Sequence, residues 1–152
     1  MISVKEQSFI QGKEQLLAYK EETMYINSFV KYEYMRYSRF RIAWFYEENT
    51  LIGYALMGIV ASDFFDDVDD NEFLSLENKN YLYIPYFEIF ESYQQRGFGK
   101  ACVNWLKNRF STLDMMVYAT DDSYVFWEYQ GFECQDGDWW YKFCHSAEVI
   151  AS

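Results

Sequence analysis

Two glycines one residue apart, in Tyr93-Gln94-Gln95-Arg96-Gly97-Phe98-Gly99-Lys100, are the part of this 152-residue chain best suited to hold a ligand. Neither carries a Cβ, so the backbone there can come close to a bound group. The flanking residues read as a strand from Tyr81 to Phe90 and a helix running to Phe110, which puts the glycines at a helix mouth. The N–H groups of a first helical turn have no partner within the helix, and the positive end of the dipole faces outward with them. No Asp or Glu occurs from Ser92 to Leu113, while Arg96, Lys100, Lys107 and Arg109 give that window +4. The chain as a whole carries −11, which leaves −15 for everything else. A positive helix mouth on an acidic chain predicts an anion site. A bare Gly-x-Gly is equally the mark of an ordinary tight turn. Cations at a helix start oppose the dipole, however, and an anionic ligand would relieve that opposition.

Other residues offer less. Glu88 is the one carboxylate in the Tyr81–Phe90 strand. Burial among Phe87, Ile89 and Phe90 would raise its pKa towards the range of a general base. Strand alternation sets Glu88 and Ile89 on opposite faces, whereas Tyr83 shares the parity of Ile89 and is the alternative base. His145 is the only histidine, lies past the last expected strand, and is assigned no role. Cys102, Cys134 and Cys144 are odd in number and lack metal-type spacing, so they read as reduced packing residues. Asp63, Asp66, Asp67, Asp69, Asp70 and Glu72 crowd ten positions. A calcium loop needs a glycine at its sixth position, which is missing, so this stretch reads as a solvated acidic loop or short helix. No metal site is expected.

The elements that must position these residues can be taken in order. Residues 1–9 read as a short strand, and about Gly12 to Tyr37 as one or two helices with a break near Asn27-Ser28. Phe40–Tyr46 and Leu51–Val60 flank a polar turn and read as a hairpin whose apolar strands are covered on both faces. Pro85 cannot donate to a ladder, so the Tyr81–Phe90 strand is expected at an edge or bulged there. Leu113–Ala119 reads as another strand. Thr120-Asp121-Asp122-Ser123 then caps a short helix to Tyr129, which Gly131 terminates with Phe132 as its hydrophobic contact. A closing hairpin, Phe132–Cys134 and Trp139–Cys144, turns at Asp136-Gly137-Asp138. Helix-flanked strands of this kind predict a single-domain α/β (α+β) layer fold over residues 1–152.

Composition narrows the function. Hydrophobic residues make up 51% and aromatic residues 22%, enough for a full core. With 24 acidic against 13 basic residues, the chain lacks the basic footprint of a nucleic-acid binder. Its acidity suits a cationic substrate such as a polyamine or an amino-sugar, and also simply solubility. Residues Met1 to Glu6 lack the basic start and apolar run of a signal peptide, and no apolar stretch approaches the ~20 residues of a membrane helix. A cytoplasmic protein without membrane partners is expected.

Two motifs in this order carry a resemblance. Gln94-Gln95-Arg96-Gly97-Phe98-Gly99 resembles the Q/R-x-x-G-x-G/A signature of the GNAT-type N-acetyltransferase superfamily. Some thirty residues on, Tyr124-Val125-Phe126-Trp127-Glu128-Tyr129-Gln130-Gly131-Phe132 resembles the family's second motif, a helix ending in an aromatic-x-x-x-Gly-Phe element. The resemblance covers essentially the whole chain. It implies an acyl-CoA N-acyltransferase-like fold, a mixed and mostly antiparallel sheet of six or seven strands with about four helices. It also implies acetyl-CoA as co-substrate and transfer of its acetyl group to a primary amine of a small molecule or peptide. The backbone N–H groups of Gln95, Arg96, Gly97, Phe98, Gly99 and Lys100, with Gln94 opening the turn, would hold the pyrophosphate. Ile89, Phe90 and Glu91 would border the pantetheine arm, with the Ile89 N–H aimed at the thioester oxygen.

The family's proton-donating tyrosine usually stands four residues before the glycine of the second motif. In this chain that residue is Trp127, counted here with the residues around the acyl-CoA. An indole N–H donates a hydrogen bond but delivers no proton near neutral pH. Tyr124, one turn earlier on a similar face, is the substitute. The resemblance is also compatible with a homodimer. Two other readings stand beside catalysis: a non-catalytic acyl-CoA-binding domain of the same fold, and a nucleotide-binding domain, for which no Walker lysine is present.

Overall fold

The computed structural model describes residues 1–18, 40–62, 64, 79–119, 123–136 and 140–145. Seven strands form one sheet: β1 (Ile2–Ser8), β2 (Arg41–Glu47), β3 (Thr50–Ala61), β4 (Asn80–Ile89), β5 (Asp114–Tyr118), β6 (Glu133–Asp136) and β7 (Trp140–Phe143). Their order is β1-β2-β3-β4-β5-β7-β6, mostly antiparallel with a parallel β4–β5 pair, as expected. The described residues hold three α-helices rather than about four: α1 (Phe9–Ala18), α2 (Phe98–Arg109) and α3 (Tyr124–Tyr129). The remainder of the helical region expected to Tyr37, and most of the acidic stretch, lie outside the described residues. Packing divides the chain into two compact units, Met1–Gly58 with Tyr86–Trp105, and Ile59–Pro85 with Leu106–Ser152.

In the first unit, β1, β2 and the greater part of β3 form an antiparallel meander. A two-residue loop, Glu48-Asn49, joins β2 to β3 and places Glu47 opposite Thr50. Glu48 takes φ 55, the positive φ that tight hairpin turns demand. Ile42 to Phe45 and Ile52 to Gly58 are buried without alternation, so these strands are covered on both faces. Trp44 pairs with Tyr54 across the ladder, their rings 6.0 Å apart. The buried indole N–H of Trp44 donates to Gln7 Oε1 of β1 at 2.8 Å, which removes the cost of an unmet donor. Helix α1 begins three residues ahead of the expected Gly12. Ser8 Oγ accepts the N–H of Gln11 at 3.2 Å, an N-cap bond that starts the helix there.

In the second unit, β5 pairs in parallel with β4 and antiparallel with β7, and β6 closes the run. The register of β4 with β5 extends from Tyr81↔Asp114 to Ile84↔Val117 and stops before Pro85. Of the two expectations for Pro85, a sheet edge or a local bulge, the edge is corrected, since β4 lies between β3 and β5. Its proline is accommodated where pairing with β5 ends and no N–H is required. The two strands of the closing hairpin pair, but β6 runs on through Asp136, which pairs with Trp140 instead of standing in the expected turn; 137–139 lie outside the described residues. Asp114, at the start of β5, gathers contacts: Lys79 Nζ donates to it at 2.5 Å and the N–H of His145 at 3.2 Å. His145 is thus half-buried, its ring set edge-on to Phe143 at 4.9 Å. No helix among the described residues is long and apolar enough to cross a membrane.

Candidate functional site

The sequence from Ile89 to Lys100 lies wholly in the first unit and can be built up residue by residue. At the end of β4 the N–H of Phe90 donates to Ile52 O of β3 at 2.9 Å. Alternation along a strand then turns both the N–H and the C=O of Ile89 to the opposite edge, away from β3. Gly53 makes this junction possible. A Cβ there would stand 2.3 Å from Glu88 O, closer than real Cβ atoms come, and a tight 3.0 Å from Ile89 Cα.

A 3-10 turn, Glu91–Tyr93, follows, closed by Tyr93 N–H to Phe90 O at 2.8 Å and Gln94 N–H to Glu91 O at 3.2 Å. Two left-handed residues then redirect the chain, Gln95 at φ 63 and Gly97 at φ 81. Nothing lies within 4 Å of where a Gly97 Cβ would stand, so the backbone there is open to a ligand. The helix begins with Ala101 N–H to Gly97 O at 3.2 Å. The N–H groups of Gly97, Phe98, Gly99 and Lys100 therefore have no carbonyl one turn back to receive them. With Arg96 and Lys100 exposed beside them, the turn has the make-up of a site for a phosphate-type anion.

The charge reading needs one correction. Lys107 and Arg109 occupy the last turn of α2, roughly 14 and 17 Å along the helix from Phe98 by the rise per residue, so the mouth carries +2 rather than +4. Both cations are engaged at that far end. Lys107 Nζ donates to Gln130 O at 2.5 Å and stands 4.1 Å from the Phe143 ring. The Arg109 guanidinium lies 4.9 Å from the Phe110 ring. A contact that residue types did not disclose lies within the turn itself: Gln94 Nε2 donates to Ile89 O at 2.7 Å. Spacing gives no warning of it, because only the 3-10 turn brings position 94 back to position 89.

The catalytic candidates fall in different units. Glu88 is in the first, half-buried, with its Oε2 atom sealed from solvent. Tyr83 is in the second, its ring 5.5 Å from Phe64. Tyr124 is also in the second, 44% exposed at the start of α3. Beside it lies Tyr141, a residue the sequence did not single out. Burial first, then the neighbouring Cys134, Glu128 and Tyr124, push the Tyr141 hydroxyl above its usual pKa. Of the four expected capping residues, Ser123 makes no side-chain cap to α3, and 120–122 lie outside the described residues.

Trp127 is 4% exposed and packed edge-on against Phe126 and Phe132, at 5.1 and 5.0 Å. Its place follows from the helix end. Gly131, at φ 90, donates to Glu128 O at 3.0 Å, and Phe132 N–H donates to Trp127 O at 3.1 Å. These are the two bonds of a Schellman motif, and Trp127 with Phe132 is its hydrophobic pair. Of the cysteines, Cys102 packs in α2 and burial pushes its thiol up to about 12, which leaves it unreactive. Cys134 is exposed rather than packed.

No known family profile and no curated protein matches this sequence. Solved structures do match the fold. The Bacillus subtilis N-acetyltransferase YlbP in complex with coenzyme A superimposes with a TM-score of 0.62 at 17% identity, over 94% of this chain and 96% of that one. The toxin AtaT, bound to the C-terminus of its antitoxin AtaR and to acetyl-CoA, gives 0.63 at 14%, over 99% and 97%. Arabidopsis thaliana NAA60 with a bisubstrate analogue gives 0.59 at 15%, over 94% and 95%. The chain has the GNAT-type acyl-CoA N-acyltransferase fold.

Proposed function

We propose that this chain, acting as one domain over residues 1–152, is an acetyl-CoA-dependent N-acetyltransferase that acetylates a primary amine. The observation that carries the reading is the open, left-handed Gly97 turn at the head of α2, in the fold of acetyltransferases that hold CoA or acetyl-CoA. The unpaired N–H groups of the first turn, with Arg96 and Lys100, bind the pyrophosphate. Main-chain groups of Ile89 to Glu91 take the pantetheine arm.

Acetyl-CoA supplies an activated acetyl thioester. The Ile89 N–H, directed off β3, donates to the carbonyl oxygen as charge develops on it. The acceptor nitrogen forms the new bond to the acetyl carbon, the carbon–sulfur bond breaks, and the thiolate leaves as a thiol. Glu88, or Tyr83 in its stead, takes the proton from the incoming ammonium. Tyr124 is the donor to the leaving sulfur in place of the tyrosine that Trp127 replaces. The acceptor is a small molecule or peptide amine, favoured when cationic by the net charge of −11.

A second reading rests on Trp127. An indole packed in a Schellman pair offers no acid, which supports a non-catalytic acyl-CoA-binding domain. Purified protein with acetyl-CoA and a panel of polyamines, amino-sugars and peptides separates the two. Catalysis predicts amine-dependent release of CoA, and the loss of both binding and release in Gly99→Glu. Tight acetyl-CoA binding without CoA release from any amine selects the binding domain. Absence of a thermal shift with acetyl-CoA rejects both.

A further inference from the structure

We infer that Gln94 is an internal competitor for the acyl-CoA arm, its carboxamide occupying the main-chain acceptor on Ile89 that an incoming ligand amide must take. The inference rests on the acyl-CoA reading of the turn. Ile89 is 8% exposed, so its carbonyl needs a partner. The Phe90 N–H is committed to Ile52 of β3, which leaves the C=O of Ile89 on the other edge. There, among the described residues, it accepts from Gln94 Nε2 at 2.7 Å, the short end of the normal range.

Three features make this an exchangeable contact rather than a fixed brace. The donor is a primary carboxamide, the same chemistry as the secondary amide N–H groups of pantetheine. Gln94 is otherwise exposed, so its side chain can pass into water once displaced. The backbone that presents it is held by its own bonds, Tyr93 N–H to Phe90 O and Gln94 N–H to Glu91 O, and does not depend on the carboxamide. A ligand carrying an amide along the end of β4 replaces one neutral hydrogen bond by another. A ligand bringing only phosphates to the helix mouth leaves Gln94 in place. Gln94 thereby satisfies Ile89 when no arm is bound, and lowers the affinity for acyl-CoA by the strength of one neutral hydrogen bond. That strength corresponds to roughly two- to tenfold in the dissociation constant.

Calorimetric titration of acetyl-CoA and of 3′,5′-ADP, which lacks the arm, tests this on the full chain. Gln94→Met keeps the length without the donor, and Gln94→Ala removes both. Each variant is expected to bind acetyl-CoA about two- to tenfold more tightly, with 3′,5′-ADP unchanged. Unchanged or weaker acetyl-CoA binding, or an equal change for both ligands, overturns the inference while leaving the site reading intact. Failure of wild-type protein to bind either ligand overturns both. A readout that needs no variant is the Gln94 carboxamide resonance in labelled protein. It should move to a solvent-like position with acetyl-CoA and stay put with 3′,5′-ADP, and a resonance unmoved by acetyl-CoA contradicts the displacement.

Discussion

At Gly97 the backbone holds φ 81 with open space where a side chain would begin, and these two facts have separable consequences. Gly97→Ala meets no neighbour, so its cost to the free protein is the left-handed strain alone, about 1–2 kcal/mol. The added methyl would stand where the proposed anion approaches. Acetyl-CoA affinity should therefore fall by more than the stability loss accounts for, which calorimetry beside thermal unfolding measures. Asp114 gives a pH prediction. Burial pushes its carboxyl up, but the Lys79 bond and charge, the Cys144 thiol and the His145 N–H outweigh it, so the net pKa lies below 3.8. A depressed carboxylate stabilises the fold above its unfolded pKa and loses that contribution as pH falls through the folded value. The melting temperature of wild type should therefore exceed that of Asp114→Asn near neutrality, the gap narrowing below about pH 4. A constant gap would assign the effect to packing instead. Sequence made the glycines and the tryptophan at 127 legible at this scale. It left unread the left-handed φ of Gln95, the bond from Gln94 to Ile89 and the place of Tyr141, because these come from turn geometry and from a cross-strand neighbour rather than from residue type.

Among the elements, the end of α3 is the most closely specified. Gly131 supplies the left-handed C-cap, Phe132 and Trp127 the hydrophobic pair, and Lys107 a cation on the carbonyl of Gln130. Gly131→Ala should cost about 1 kcal/mol through backbone strain, since its Cβ would meet Phe143 only at ordinary contact distance of 3.6 Å. Lys107→Met should cost about 1–3 kcal/mol by removing a charge-assisted bond to a helix end. Urea unfolding of each variant checks both figures. The cap at Gly131 and the contact at Phe132 could be read in advance because Gly-Phe after an apolar helix is a local signal. The partner Lys107 could not, since it arrives from another helix. Pro85 shows the same division. Its lack of an N–H was evident, but whether that marks a sheet edge or the end of one pairing depends on where β5 stops. The early start of α1 follows from Ser8, whose hydroxyl is a local capping signal as plain as the later glycine.

For the whole molecule, the order of strands, turn and helices was readable because each element carries a local period and the glycine motif fixes where a strand gives way to a helix. Likeness to YlbP, AtaT and NAA60 at 14–17% identity shows how little of the remaining sequence the fold requires. What that likeness does not transfer is chemistry, and the packed Trp127 offers an indole N–H rather than a proton donor. Binding and turnover are therefore distinct claims, and binding at the Gly97–Lys100 turn is the one on which the rest depends. Calorimetric titration of acetyl-CoA into wild-type protein and into Gly99→Glu tests it most directly. One acetyl-CoA should bind per wild-type chain and none to the folded variant. Equal binding by both proteins, or none by the wild type, would contradict it.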